Sequence, residues 1–227
     1  MKRYSLLLSL GCLLLAQAFC LAQDSVAALK QKALAGDSSA QIQLGMKYAI
    51  AVPPNTYEAL KWFRMAADGG SAQGQLHLGA MYDVKVSPQN PAEAVKWYTL
   101  AANQGLKDAQ FRLAQMYDQG RGVPRDYSAA AQWYKKAALQ GRSDAQYRLG
   151  EMYEKGSGVT QSYGDALKWY LAAANQGRPE AEFKVGHMYE MGLGIPKDKD
   201  EAMDWYQKSS QQGFPDAIDA LKALNSQ

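Results

Sequence analysis

The chain has 227 residues, with 25 lysines and arginines against 22 aspartates and glutamates, and two cysteines. Both cysteines, Cys12 and Cys20, fall in the predicted export signal described below, so the mature chain has no disulfide, thiolate nucleophile or cysteine metal site. The formal charge of +3 includes Lys2 and Arg3 of that signal, and the balance of the remainder gives no support for a nucleic-acid binder.

The first 22 residues have the pattern of a secretory signal peptide. Lys2 and Arg3 precede an apolar stretch, Leu6–Leu15, and small residues follow it. The pattern favours cleavage after Ala22, with Ala18 as the second choice. The apolar stretch is shorter than the roughly 20 residues that a membrane-spanning helix needs. We therefore expect an exported protein without a membrane span in its mature chain, located in the periplasm or, alternatively, secreted.

Tryptophans then recur at intervals of 35 or 36 residues, and each is followed eight residues later by a glycine. The tryptophans are Trp62, Trp97, Trp133, Trp169 and Trp205. The glycines are Gly70, Gly105, Gly141, Gly177 and Gly213. A period between about 20 and 50 residues indicates an array of stacked repeats that cover one another's apolar faces.

Each repeat is predicted to be an antiparallel pair of helices, A and B. Helix A has segments such as AQYRLGEMY, and helix B has segments such as YGDALKWYLAAANQG, which ends at its glycine. Apolar and small residues recur at spacings of three and four in both, as amphipathic helices require. The closing glycine suits a helix C-terminus with a left-handed backbone. Because the tryptophan recurs in every unit, we assign it to packing between repeats and not to a ligand cage.

The connections between helices A and B in repeats three to five contain a Gly-x-Gly-aliphatic sequence, as in EKGSGVTQSY. We interpret it as a tight turn, because a phosphate loop needs a preceding strand and a longer glycine spacing. The predicted organisation is a signal peptide over 1–22, a capping helix over 23–36, and five repeats with a second capping helix over 214–227. The repeats are placed at approximately 37–70, 71–105, 106–141, 142–177 and 178–213.

The segment AQYRLGEMYEKGSGVTQSYGDALKWYLAAANQG closely resembles the Sel1-like repeat, a relative of the tetratricopeptide repeat. The likeness extends from Gly36 to about Leu224. The resemblance implies an all-α, right-handed α-solenoid that serves as a protein-interaction scaffold, often in exported bacterial proteins. One cysteine-rich branch of the family is associated with penicillin binding and β-lactam hydrolysis, but this chain lacks that branch's paired cysteines.

The residues give no sign of a catalytic, cofactor-binding or metal site. The only histidines, His77 and His187, lie in helices A of repeats two and five. A metal site needs several converging ligands, and a catalytic base needs a nucleophile and an orienting partner. We therefore predict a protein that is not an enzyme and that needs no cofactor.

Functional variation is expected in two columns of helix A that lie three residues apart and so share a face. In repeats three to five these columns form the predicted protein-binding site: Arg112, Gln115, Arg148, Glu151, Lys184 and His187. Its three cations would form a basic stripe. We expect an acidic segment of a partner protein there, with arginine offering bidentate contacts to carboxylates.

The sequence thus favours a monomeric, non-catalytic adaptor that binds a partner protein through the concave surface of its repeats and binds no nucleic acid. Three alternatives stay open. One is a periplasmic immunity protein that neutralises a toxic effector. Another is an envelope enzyme or binder that recognises the cell wall or β-lactams. The third is a host-directed virulence factor.

Overall fold

The computed structural model describes residues 26–85 and 89–225, so the predicted signal peptide lies outside the described residues. Every regular element within these two ranges is a helix. The contacts divide the chain into two compact units, Met1–Gln89 and Asn90–Gln227. Each unit is described by itself.

In the first unit, helix α1 covers residues 26–34. It is followed by α2 (Ser38–Ala49), α3 (Thr56–Asp68) and α4 (Ala72–Ala80), which is continued by a π-helical turn, Met81–Lys85. The second unit contains α5 (Pro91–Asn103), α6 (Lys107–Gln119), α7 (Tyr127–Leu139), α8 (Ser143–Lys155), α9 (Tyr163–Ala174), α10 (Pro179–Met191), α11 (Lys199–Gln211) and α12 (Pro215–Asn225). Helices α2, α4, α6, α8 and α10 are the predicted A helices, and the odd-numbered helices from α3 to α11 are the predicted B helices.

The glycine that closes each B helix has the backbone that the sequence predicts. In α3 the amide of Gly70, at φ +85°, donates to the carbonyl of Ala67, and the amide of Ser71 donates to that of Ala66. These two bonds make a Schellman motif, which needs a left-handed residue that glycine adopts without a steric penalty. The chain therefore turns back at once into the next A helix.

The core of each repeat is built around the aromatic residue that follows the tryptophan. Tyr98, Tyr134, Tyr170 and Tyr206 are all at most 1% exposed. The predicted packing of tryptophan is confirmed for Trp62 and Trp169, which are 2% and 8% exposed. Trp133 and Trp205 are half-buried but also pack against core clusters of the second unit, and Trp97 is half-buried. In α5, α7, α9 and α11 the tyrosine after the tryptophan is therefore the deepest aromatic side chain of the B helix, whereas in α3 Trp62 and Phe63 are both buried, at 2% and 3% exposed.

A buried glutamine near the start of four A helices ties each to the preceding B helix or, in the first case, to α1. Its side-chain amide donates to a backbone carbonyl eight residues earlier, in the pairs Gln41–Ala33, Gln75–Ala67, Gln110–Ala102 and Gln146–Ala138. In α10 the same position is held by a glutamate, Glu182, which is 5% exposed. Its Oε2 accepts a hydrogen bond of 2.8 Å from the amide of Gln212. Burial raises the pKa of Glu182, although this bond and the charge of Lys208 act in the other direction.

The second glycine of each Gly-x-Gly turn lies against the backbone of the preceding B helix. Gly158 has a φ of +70°, and a Cβ there would lie 2.2 Å from the carbonyl carbon of Tyr127, the first residue of α7. Gly122 lies in the same way against Pro91, and Gly194 against Tyr163. The turns therefore bring successive repeats of the second unit into direct backbone contact. A side chain at the position of the second glycine would prevent this contact.

Candidate protein-binding site

All six predicted site residues lie in the second unit, on the A helices of its three complete repeats. Arg112 and Gln115 are on α6, Arg148 and Glu151 are on α8, and Lys184 and His187 are on α10. The side chains of Arg112 and Arg148 are exposed, and the other four are half-buried. The expected three-residue spacing is seen directly, because Arg112 Nη1 donates to Gln115 Oε1 at 3.3 Å and Arg148 Nη1 donates to Glu151 Oε2 at 2.9 Å.

The three cations of the predicted stripe differ in their partners. Lys184 Nζ lies 3.0 and 3.2 Å from the two carboxylate oxygens of Glu154 on α8. Arg148 is paired with Glu151, whereas the bond of Arg112 goes to the neutral amide of Gln115. Two of the three charges are therefore balanced by carboxylates of the chain itself. Arg112 differs from the other two because its side chain bonds a neutral amide, which does not compensate its positive charge.

The carboxylate that receives Lys184 belongs to a recurring pair that the sequence analysis missed. A buried B-helix tyrosine donates to an acidic residue 16 positions earlier, as in Tyr170 to Glu154 at 2.5 Å. The equivalent bonds are Tyr206 to Glu190 at 2.6 Å and Tyr134 to Asp118 at 3.4 Å. The available signal was the acidic residue directly after the tyrosine of helix A in these repeats.

These pairs have clear effects on ionisation. Burial acts to raise the pKa of Glu154, but the hydrogen bonds from Tyr170 and Lys184 outweigh it and the pKa is lowered. Burial and the neighbouring carboxylate both raise the pKa of Tyr170. Glu154 is thus held as an anion and Tyr170 as a neutral phenol. The pair therefore keeps its protonation state near neutral pH and provides a fixed carboxylate for the ammonium group of Lys184.

A second charged array, also missed, runs along the N-terminal ends of α6, α8 and α10. Arg142 pairs with Asp108 and, at 3.1 Å, with Asp144. Arg178 pairs with Asp144 and, at 3.3 Å, with Glu180. We call these five residues the arginine ladder. The two arginines are the N-cap residues of α8 and α10, whose N-termini have no side-chain cap. The sequence signal was Arg-x-acid at the start of both helices.

Aromatic rings hold the two arginines of the ladder in place. The guanidinium carbon of Arg142 lies 4.3 Å from the ring centre of Phe111, and that of Arg178 lies 5.0 Å from the ring centre of Tyr147. Their side chains are 23% and 24% exposed. Such cation–π contacts favour a fixed guanidinium plane, because the flat group stacks on the ring while its edges bond to carboxylates.

The ladder and part of the predicted site border one depression of about 300 Å³. Its lining is Phe111, Arg112, Gln115, Arg142, Asp144, Arg148 and Arg178, and we call it the arginine depression. Three predicted site residues therefore come together here. Glu151 lines a neighbouring depression of about 220 Å³ with Asp118, Tyr134 and also Arg148, and Lys184 and His187 line neither of the two.

The histidines stand in aromatic stacks within their own units. His187 is parallel to Phe183, with ring centres 6.4 Å apart, and His77 is parallel to Phe63 at 5.0 Å. Burial lowers the pKa of His77, so the ring is neutral at physiological pH. No group of three or more His, Cys, Asp or Glu side chains in ranges 26–85 and 89–225 could hold a metal ion. Nor does any helix in those ranges have the length and apolar character needed to cross a bilayer.

The family model and the solved structures identify the same type of repeat. A family model for the Sel1 repeat matches residues 38–71, 72–106, 107–141, 143–177 and 179–214. A search of curated proteins found no significant match. Among solved structures, a protective antigen of uropathogenic Escherichia coli strains is 37% identical, with a TM-score of 0.83. The likeness covers 86% of this chain but only 43% of that protein.

Other solved structures extend the likeness. A Sel1 repeat protein from Oxalobacter formigenes is 32% identical over 82% of this chain and 75% of that one, with a TM-score of 0.72. An immunity protein from Pseudomonas aeruginosa is 22% identical over 84% of this chain and 73% of that one, with a TM-score of 0.53, which shows a shared fold alone. The predicted all-α solenoid is confirmed. With five matched repeats and these relatives, the chain belongs to the Sel1 repeat family.

Proposed function

We propose that this protein is an exported, non-catalytic adaptor that binds a partner protein through the exposed side chains of α6, α8 and α10. The exposed charge of Arg112 carries the proposal, since its side chain bonds only a neutral amide in the described structure. The repeated positions of the scaffold are used for packing. The positions that vary between repeats, and that remain exposed, are available for recognition.

The partner is expected to present carboxylates to this surface. An acidic group that reaches Arg112 gains an interaction without displacing an internal carboxylate, and a contact to Arg148 has to compete with Glu151. Arginine binds carboxylates in a planar, two-point geometry that gives specificity as well as affinity. Lys184 contributes less than the sequence predicts, because its side chain is 24% exposed and already holds Glu154.

The experiment is affinity capture from the bacterial envelope after crosslinking, with three forms of the tagged protein. The test variant is R112E/R148E, and the matched control is R125E/K135E, which makes the same change of charge at exposed positions outside the proposed surface. We expect the wild type and the control to recover the same protein, and the test variant to lose it. Circular dichroism establishes that all three are folded. Undiminished capture by R112E/R148E would remove the proposal.

The immunity role that the sequence left open is a special case of partner binding. Two solved structures with this fold are described as immunity proteins, at 22% and 23% identity. Likeness at this level carries the fold and not the role. The identity of the protein captured by the wild type decides between an immunity role and a general adaptor.

A further inference from the structure

The lining of the arginine depression is rich in guanidinium groups. Its lining holds four guanidinium groups and a single carboxylate, that of Asp144. Both oxygens of Asp144 are already engaged, one by Arg142 and the other by Arg178. The carboxylate is thus used to hold the two arginines of the ladder. Arg148 is paired with Glu151, whereas the side-chain bond of Arg112 in the described structure goes to the neutral amide of Gln115.

The donors that remain around the depression are numerous. An arginine side chain offers five N–H groups and no acceptor. In the described structure Arg112 uses Nη1 for Gln115, and Arg148 uses Nη1 for Glu151. Each of these exposed side chains can therefore turn further N–H groups toward a ligand. Arg142 and Arg178 are balanced by the carboxylates of the ladder, and their stacked guanidinium groups provide a fixed wall of N–H groups beside the rim arginines. Donors without a matching set of acceptors favour an anion.

The depression has room for a side chain of another protein. Its volume of about 300 Å³ is roughly ten times the 30 Å³ that one water occupies in the liquid. This space admits a glutamate or aspartate side chain together with part of the backbone that bears it. Because the proposed partner is a protein, we take the occupant to be a peptide carboxylate, and competition by inorganic phosphate is part of the binding test.

We infer that the arginine depression is the carboxylate-binding centre of the partner surface, where an acidic side chain of the partner bonds Arg112 and Arg148 against the wall formed by Arg142 and Arg178. This inference rests on the proposed partner-binding function and specifies its site. It moves the centre of recognition from the predicted stripe to the N-terminal ends of α8 and α10. It also leaves Lys184 outside, as an internal tie between α8 and α10.

The test is direct binding of a fluorescein-labelled hexaglutamate peptide, followed by fluorescence polarisation at low ionic strength. We expect R112Q/R148Q to bind at least about tenfold more weakly than the wild type, since hydrogen bonds between charged groups are the strong ones. The control variant R125Q/K135Q removes the same charge elsewhere and should bind as the wild type does. All of the substituted side chains are exposed, so the variants should fold.

A second variant addresses the wall. R142K/R178K keeps both charges but removes the planar guanidinium groups, and we expect a loss of several-fold in peptide affinity with folding confirmed by circular dichroism. Equal binding by wild type and R112Q/R148Q, or no binding by the wild type, would overturn the inference. Unchanged binding by R142K/R178K would overturn the role of the wall. Complete displacement of the peptide by an equal concentration of inorganic phosphate would also count against a peptide carboxylate.

The outcome for the proposed function is separate. If the envelope partner is captured and lost in R112E/R148E while hexaglutamate does not bind, the adaptor role stands and the carboxylate-binding centre is refuted. If hexaglutamate binds at the depression and no partner is captured, the centre stands and the adaptor role fails.

Discussion

Glu182 stands where four other A helices have a glutamine, and its replacement by glutamine should stabilise the protein. In those helices the glutamine side chain donates to a carbonyl eight residues earlier. Gln110 and Gln146 also accept a hydrogen bond from a glutamine that follows the B helix of their own repeat, Gln140 and Gln176 respectively, at or just past its C-cap. Glu182 keeps the second bond, from Gln212. An ionised carboxylate has no proton for the first, which in this register would go to Ala174.

The expected gain follows from one buried hydrogen bond and the relief of a buried charge. A typical intramolecular hydrogen bond contributes about 0.5–1.5 kcal/mol, and Glu182 is only 5% exposed. We therefore expect E182Q to raise the free energy of unfolding by roughly 1 kcal/mol at pH 7. For a chain of this size that corresponds to an increase of about 2–4 °C in Tm.

The dependence on pH gives the sharper test. The pKa of Glu182 is raised above 4.5 in the folded protein, so the folded state holds this proton more tightly than the unfolded state. The stability that the proton contributes is fully present below the unfolded pKa and is lost as the pH rises through the folded pKa. A protonated carboxyl can donate as glutamine does. The difference between E182Q and the wild type should therefore be small near pH 4 and reach its full value at neutral pH.

Thermal unfolding followed by circular dichroism at several pH values measures both quantities. The matched control is D204N on α11, which removes a negative charge from an exposed position. A variant E182Q that is no more stable than the wild type at pH 7 would refute the reasoning. The same conclusion would follow if its advantage were as large at pH 4 as at pH 7.

Two further predictions compare paired positions. G158A places a Cβ 2.2 Å from the backbone of α7 at a φ of +70°, whereas G141A has a φ of +79° and no atom within 4 Å of its Cβ. Urea unfolding should show that G141A lowers the free energy of unfolding by about 1 kcal/mol through its backbone conformation, and that G158A lowers it clearly more. Equal losses would contradict the close approach of Gly158 to α7. Y170F removes a hydrogen bond of 2.5 Å to the Glu154 carboxylate and should lower the free energy of unfolding by about 1.5–3 kcal/mol. Y134F removes a hydrogen bond of 3.4 Å to Asp118 and should lower it less. The reverse order in urea unfolding would show that these hydrogen bonds do not determine the contribution of the pairs to stability.

The helix pairs and their closing glycines could be predicted from the sequence because they depend on local spacing. The spacing of apolar residues gives the face of each helix, and a left-handed backbone after the B helix has few solutions other than glycine. The spacing of apolar residues does not show which of two neighbouring apolar residues is the more deeply buried. Trp133 and Tyr134 lie about 100° apart on their helix, so both border the apolar face, and only the packing shows that Tyr134 is the buried one.

The sequence predicts which helix positions hold the charged residues, but it does not predict which side chains these residues pair with. Arg148 and Lys184 hold equivalent positions, yet Arg148 turns to Glu151 in its own helix and Lys184 reaches Glu154 in the preceding repeat. Long side chains have several carboxylates within reach, and the free energies of such exposed pairs differ by less than about 1 kcal/mol. Arg142 and Arg178 were missed for a related reason, since their role depends on carboxylates 34 residues earlier in the chain.

The contacts of Gly158 and of the A-helix glutamines all point the same way along the chain. In each, an element of a later repeat uses backbone that an earlier repeat has already placed: the glycine turn rests on the start of α7, and Gln146 donates to a carbonyl near its end. The array of the second unit consequently has a direction. Synthesis and export both proceed from the N-terminus, so the backbone that each new helix pair uses always precedes it. Shortening the protein from its C-terminus should therefore leave the remaining junctions intact.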